Sequence, residues 1–368
     1  MRFLTALLLA LGLAAAPGDA PRQAFEDAAR ALTSNDLAAA ERGFQHVLKL
    51  QPGHVGALGN LGVVYSRMGR YADAVTAYKR ALKAAPADPL LNLNIALAYM
   101  KQDDYVSAKP HLRHVLDAQP GHAQAMELMA TTDLYTGNVA GATETLEALR
   151  PGGSPSVLYL LALAYLRQNR REDAMDAVSQ LFSSVPRAQA HLLAGRAYYE
   201  STLFEQALSE LTKAREIDRN LPGLARELGK TYVSLRRADD ARNALAEALE
   251  SDPNDAEARY FLGALLVVGN MIEAGVEHLE KARAARPAFW GSYYYLGRAA
   301  LASGKPADAA RLLREAARLQ PDDMSVLYQL ARALKASGRD EEARQVSSQL
   351  ADLRARTRKS EREALVLR

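Results

Sequence analysis

The residues best able to do chemistry in this chain are few and scattered. In HLRH, residues 111–114, His111 and His114 stand three apart, with Asp117 three further on, so a helix would set all three on one face. Two imidazoles and a carboxylate suit a divalent metal, but the segment falls on a predicted outer helix with no further ligand, and solvated histidines are the expectation. The run GLARELGKT, residues 223–231, comes near a phosphate-binding loop, yet five residues separate Gly223 from Gly229 where that loop needs four. Gly229 also falls inside a predicted helix, where its amide is already engaged. Asp103-Asp104 and Asp239-Asp240 lie at predicted turns or helix starts, where capping is their expected role. Neither a zinc-protease HExxH nor a GxSxG nucleophile elbow occurs. Cysteine is absent, so no disulfide, thiolate zinc site, cysteine nucleophile or acylated cysteine can form. These residues predict a non-enzymatic chain with no catalytic, metal or cofactor site.

The elements that would have to position any site account for almost the whole length. Prolines at 52, 86 and 120, and again at 253, 287 and 321, are each 34 residues apart. On that period the 368 residues divide into ten repeats beginning near 21, 55, 89, 123, 155, 188, 222, 256, 290 and 324. The eighth residue of each is small: Ala28, Gly62, Ala96, Ala130, Ala162, Gly195, Gly229, Gly263, Gly297 and Ala331. So is the twentieth: Ala40, Ala74, Ala108, Ala142, Ala174, Ala207, Ala241, Gly275, Ala309 and Ala343. Two helices approach closely only where side chains are short, so each repeat reads as a tightly packed helix pair. Segments such as Gly69-Arg70-Tyr71 and Gly304-Lys305-Pro306 separate the two helices, and the terminal proline ends the second.

This pattern resembles the tetratricopeptide repeat family, and residues 55–86 carry it most completely: Leu61-Gly62, Tyr65, Gly69, Tyr71, Ala74, Tyr78, Ala81 and Pro86. The resemblance covers roughly residues 21–355. It implies an all-α, right-handed superhelical solenoid of about ten helix-turn-helix repeats, with a concave groove lined by the first helices. Departures are local: Ala24, Asp27 and Ala31 stand where larger apolar groups are usual, and the tenth repeat lacks its proline. At 149–155 the fourth repeat ends early in LRPGGSP, and a change of superhelical path between repeats one to four and five to ten is expected there.

Residues 1–20, with Arg2 ahead of an uncharged run from Phe3 to Ala16, have the layout of a secretory signal peptide too short to span a bilayer comfortably. The expectation is an exported chain, periplasmic with secretion as the alternative, and without a membrane segment once the signal is removed. Lys and Arg total 46 against 43 Asp and Glu, and residues 21–154 and 155–351 are each charge-balanced. The net +3 resides in the last seventeen residues, where Arg354, Arg356, Arg358, Lys359, Arg362 and Arg368 outnumber Asp352, Glu361 and Glu363. A body so balanced lacks the basic field that nucleic-acid binding needs. Residues 356–368 are expected to form a basic capping helix or tail, with Leu350, Leu353, Ala364 and Leu367 as inner contacts.

The resemblance places the fifth and ninth residues of each repeat on the groove. Downstream these read Tyr159, Leu192, Arg226, Tyr260, Tyr294 and Tyr328 at the fifth, and Leu163, Arg196, Lys230, Ala264, Arg298 and Arg332 at the ninth. Upstream they read Gly59, Leu93 and Glu127, then Val63, Leu97 and Thr131, a smaller and more apolar set. The expected partner site is therefore Tyr159, Arg196, Arg226, Lys230, Tyr260, Tyr294, Arg298, Tyr328 and Arg332, with Tyr260, Tyr294 and Tyr328 as a ladder of rings. In the triplet Tyr293–Tyr295, Tyr293 is expected in the packing, Tyr294 on the groove and Tyr295 toward an adjacent helix. Asn60 and Asn94 match one contact of the family's chaperone-tail clamp, but Phe25, Ala29, Gly59 and Val63 stand where its other polar groups belong. The expected partner is an extended protein or peptide segment of acidic or aromatic character, bound within an envelope assembly. The alternatives are a carbohydrate-binding or cell-wall accessory protein and a regulatory subunit of an envelope enzyme.

Overall fold

The structure is a computed structural model that describes residues 20–152 and 154–366. The proposed signal segment through residue 19 and Leu367 lie outside the described residues. All regular structure among the described residues is helical, and the chain divides into two compact bodies, one ending at Ser184 and the other starting at Val185.

The first body contains five helix pairs: α1 (Ala20–Thr33) with α2 (Leu37–Leu50), α3 (Val55–Arg67) with α4 (Tyr71–Ala84), α5 (Pro89–Met100) with α6 (Tyr105–Ala118), α7 (Ala123–Tyr135) with α8 (Val139–Leu149), and α9 (Pro155–Arg167) with α10 (Arg171–Ser184). The second contains five more: α11 (Arg187–Glu200) with α12 (Phe204–Ile217), α13 (Leu224–Ser234) with α14 (Ala238–Ser251), α15 (Ala256–Val268) with α16 (Ile272–Ala285), α17 (Trp290–Ala302) with α18 (Pro306–Leu319), and α19 (Met324–Ala336) with α20 (Asp340–Val366). Each pair is one repeat, 34 residues long except for the shorter fourth and fifth.

The turn inside every pair obeys one backbone rule. The fifteenth residue of all ten repeats, Asn35, Gly69, Asp103, Gly137, Asn169, Thr202, Arg236, Asn270, Gly304 and Gly338, has a positive φ between 58° and 91°. That left-handed step stops the first helix and reverses the chain, which explains the preference for Gly, Asn and Asp. Side chains then start many of the helices: Asp36, Asp88, Asp104, Asp255 and Asp323 each accept an amide hydrogen bond at an N-terminus.

Packing within each pair sets the small eighth residue of the first helix against a large residue of the second. A Cβ on Gly229 would fall 2.5 Å from Leu245 Cγ, and one on Gly263 would fall 2.7 Å from Leu279 Cγ. Gly62 faces the Tyr78 ring in the same way, and Tyr78, Leu245 and Leu279 are fully buried. Between pairs, Arg67 Nη1 donates to Leu32 O at 3.1 Å, and Arg167 Nη1 to Leu134 O at 2.7 Å. First helices of neighbouring repeats touch, as α1 touches α3, α3 touches α5 and α7 touches α9 in the first body, and α11 touches α13, α13 touches α15, α15 touches α17 and α17 touches α19 in the second. Among the described residues no consecutive pair of second helices approaches as closely as these. The first helices therefore lie along the inner face of each stack.

The division into two bodies falls at 184/185, after repeat five. The irregular junction expected from the sequence lies at 149–155. There the short α8 runs into a single 3-10 turn, Arg150–Gly152, and Arg150 bridges to Asp176 on α10, which ties the junction into the first body. The basic segment expected as a capping helix or tail continues α20 as helix to Val366, and the inner edge of α20 carries buried Leu350 and half-buried Leu353. Facing outward are Arg344, Gln345, Ser348, Asp352 and Arg356, all exposed, which gives this part of α20 a polar outer surface. No helix among the described residues is long and apolar enough to cross a membrane.

Candidate partner-binding groove

The expected site residues fall into three environments. Tyr159 lies on α9 in the first body, where it is buried, and Leu163 one turn on is buried completely. The other eight belong to the second body, on α11, α13, α15, α17 and α19.

Arg196, Arg226 and Lys230 are committed to carboxylates of their own chain. Lys230 Nζ lies 2.9 Å from Glu227 Oε2 and 2.9 Å from Glu257 Oε1. Arg226 reaches Asp255 Oδ2 at 2.8 Å, Glu227 Oε1 at 3.2 Å and Glu257 Oε2 at 3.3 Å. Arg196 Nε stands 3.6 Å from Glu227 Oε1. Three cations thus meet three carboxylates, and the cluster is deep: Glu227 is 2% exposed and Lys230 5%. Tyr199 closes it on one side, its ring centroid 4.9 Å from Lys230 Nζ.

Burial works against each charge, and in each case opposite charges prevail. For Glu227, burial is outweighed by Lys230, Arg196 and Arg226, which hold the carboxyl below its usual range. For Lys230, burial is outweighed by Glu227 and Glu257, which raise the ammonium's pKa above its usual value. Arg226 is raised likewise, by Glu227, Glu257 and Asp255 against burial. Glu227, Lys230 and Arg226 are thereby held in their charged forms, and the cluster sets three cations against three carboxylates.

The tyrosines form a different chain of contacts from a ladder of fifth positions. Tyr260 packs edge-on against Phe289 at 4.7 Å between centroids and against Tyr295 at 5.9 Å. Tyr295 in turn meets Tyr294 at 5.0 Å, and Tyr294 meets Trp290 at 6.0 Å. The ring bridging Tyr260 to Tyr294 is therefore Tyr295, which does turn toward an adjacent helix. Burial pushes the Tyr260 hydroxyl above its usual pKa, as befits a ring enclosed by others. Tyr293 belongs to the packing: its hydroxyl donates to Pro287 O at 2.9 Å. Tyr328 stands apart, 48% exposed, and has no ring contact with Tyr294 among the described residues.

Arg298 and Arg332 differ from the upstream cations. Arg298 lies over the Tyr294 and Tyr295 rings at 5.8 and 5.4 Å, and Arg332 over Tyr328 at 5.9 Å. Arg332 also donates to Gln329 Oε1 at 3.1 Å. Neither has a carboxylate within ion-pair distance among the described residues. Of the nine expected residues, Tyr294, Arg298, Tyr328 and Arg332 form the part of the face whose charge is not internally matched.

Sequence reasoning missed Glu227, Asp255 and Glu257. The signal was available, since a carboxylate next to Arg226 and two more at the start of the next first helix must face the same cations once successive first helices touch. The other chemical candidates are also placed. His111 is held, not solvated: its Nδ1 lies 2.8 Å from Asn92 Oδ1 and its ring stacks on Tyr99 at 5.9 Å. Burial, then His114 and Lys79, lower its pKa. Gly229 lies within α13, packed on Leu245, as the helical reading required.

Helix pairs with small residues at two fixed stations, a left-handed turn at a third and first helices along one face define an α-helical repeat solenoid. One family model described as tetratricopeptide repeat matches residues 25–89, 159–222 and 264–322, and a second matches 198–265 and 300–359. The chain belongs to the tetratricopeptide repeat family. It is similar to cellulose synthase operon protein C of Xanthomonas axonopodis pv. citri (strain 306), 27% identical over 300 residues, covering 74% of this chain and 19% of that protein. The chain thus spans about a fifth of the length of that curated relative. Among solved structures it is similar to MamA (41-end) from Desulfovibrio magneticus RS-1, with 20% identity, a TM-score of 0.41, and coverage of 46% of this chain and 97% of that one. A further MamA crystal structure gives 22% identity, a TM-score of 0.39, and coverage of 45% and 96%.

Proposed function

We propose that this chain is a non-enzymatic scaffold of the cell envelope that holds an extended, acidic segment of a partner protein against the first helices of its last two repeats. The observation that carries the reading is the contrast in charge along one face. Upstream cations are matched by Glu227, Asp255 and Glu257, whereas Arg298 and Arg332 lie over tyrosine rings with no carboxylate beside them among the described residues. A partner's carboxylates complete those two arginines, and its apolar groups find Tyr294, Trp290 and the exposed Tyr328. Membership of the tetratricopeptide repeat family supports protein binding as the role. The leader-like residues 1–20 and the name of the cellulose synthase operon relative support a periplasmic setting. A glycan-binding reading has less support, because Tyr260, Tyr294 and Tyr295 pack edge-on against one another instead of offering flat open faces.

The test uses a labelled peptide alternating Glu and Tyr, followed by fluorescence anisotropy on the full chain. The expected result is binding that weakens at least about tenfold in the Arg298→Ala/Arg332→Ala double variant, with an unchanged circular dichroism spectrum. A peptide alternating Gln and Tyr is expected to bind weakly to both. Equal binding of the acidic peptide by wild type and double variant rejects the reading.

A further inference from the structure

The upstream half of the same face holds a carboxylate where a bound carboxylate would go. Arg226 and Lys230 occupy the fifth and ninth stations of their repeat, the stations that Tyr294 and Arg298 hold two repeats later. A segment lying along successive first helices would pass both places. At the upstream one Glu257, the second residue of α15, spans the two cations, with Oε1 2.9 Å from Lys230 Nζ and Oε2 3.3 Å from Arg226 Nε.

The three carboxylates of the cluster are not equivalent. Asp255 is fixed at the N-terminus of α15, where it accepts from the amides of Glu257 and Ala258. Glu227 is on α13 itself, with a side chain 3% exposed, and is closed off from any ligand. Glu257 has no capping duty, and its side chain is 33% exposed against 10% for Asp255. Its hold is also incomplete: Arg226 Nε is buried and makes no hydrogen bond, despite the 3.3 Å approach. Without Glu257's charge, three cations would face two carboxylates, and the excess positive charge in a poorly solvated site would favour an incoming anion.

We propose that Glu257 is a specificity-determining residue, a built-in competitor that occupies Arg226 and Lys230 and so confines acidic segments to Arg298 and Arg332. The inference rests on the reading given under the proposed function. Glu257 sets the upstream limit of the binding face, and the charge at this one position decides whether the face has one carboxylate-accepting region or two.

The experiment uses the same labelled Glu-Tyr peptide, with the Gln-Tyr peptide as control, on the full chain. Glu257→Gln is expected to bind the acidic peptide about tenfold tighter, with a steeper loss of affinity as salt rises, and adding Lys230→Gln is expected to reverse the gain. The Gln-Tyr peptide is expected to show no change. Glu257→Asp keeps the charge, shortens the reach by one methylene and is expected to tighten binding in the same sense but less. If Glu257→Gln does not fold, Glu257→Asp decides, and no gain in that variant overturns the inference. Unchanged affinity in a folded Glu257→Gln chain overturns it while leaving the downstream site standing. Wild-type binding indifferent to Arg298→Ala/Arg332→Ala removes the parent reading and this inference together.

Discussion

Lys230 and Glu227, three residues apart on α13, form an ion pair of 2.9 Å that is almost wholly shielded from water. Neither charge could remain there alone, since an unpaired buried ion loses its hydration without recompense. Lys230→Met is expected to destabilise the second body by about 3–5 kcal/mol, because Glu227 would be left among apolar neighbours with only the more distant arginines. Adding Glu227→Leu to that variant is expected to restore much of the loss, since a matched apolar pair replaces a matched charged one. Urea unfolding of the three chains measures this, and a double variant less stable than the single one would show that the cluster is not organised around this pair.

The same pair sets a pH window. Glu227's carboxyl is depressed below the usual 4.5, so its contribution to stability is complete above that value and is lost as pH falls through the folded pKa. Lys230 is raised above the usual 10.5, so its contribution is complete below that value and is lost as pH rises through the folded pKa. The unfolding midpoint is therefore expected to be nearly level between about pH 5 and pH 10 and to fall on the acid side. The Lys230→Met/Glu227→Leu chain is expected to fall less steeply in acid, and calorimetry from acid to neutral pH compares the two slopes.

Thr202 and Arg236 hold the left-handed turn position that glycine, asparagine or aspartate fills in the other eight repeats. Thr202 has φ 61° and Arg236 φ 58°, and for a β-branched threonine this is a strained conformation. Both side chains are exposed, so little packing is lost on truncation. Thr202→Gly is expected to stabilise the chain by about 1 kcal/mol, the relief of left-handed strain exceeding the added freedom of the unfolded glycine. Asn35→Gly, where asparagine already tolerates the turn, is expected to change little. A thermal midpoint that drops in Thr202→Gly would contradict this account.

The fold was legible because its determinants repeat. Small residues at the eighth and twentieth stations, the turn at the fifteenth and the terminal prolines each act within one repeat, so local sequence states what local packing needs. The candidate site was legible only in part, because its character depends on which side chains from different repeats meet. Arg226 and Lys230 read as available cations until Glu257, about thirty residues later, is brought beside them by contact between α13 and α15. Tyr295 read as a ring off the groove, yet it is the ring that reaches Tyr260. Position within a repeat indicates the face a residue shares, and contacts between repeats decide what that face presents.

Tyr260 and Tyr328 occupy the same station two repeats apart and are expected to respond oppositely to truncation. Tyr260 is boxed by Phe261, Phe289 and Tyr295, with centroids 5.0, 4.7 and 5.9 Å away. Tyr260→Ala should therefore cost about 2 kcal/mol of stability, the sum of lost ring contacts and a partly collapsed gap between α15 and α17. Tyr328 is 48% exposed, with Arg332 as its ring partner, so Tyr328→Ala should shift stability by no more than about 0.5 kcal/mol. For binding the order reverses. Tyr328→Ala is expected to weaken the Glu-Tyr peptide by about tenfold, since the ring is free to make new contact and also steadies Arg332. Urea unfolding and anisotropy on the same two variants separate the roles, and equal loss of stability in both would mean that Tyr328 is part of the packing and not of the binding face.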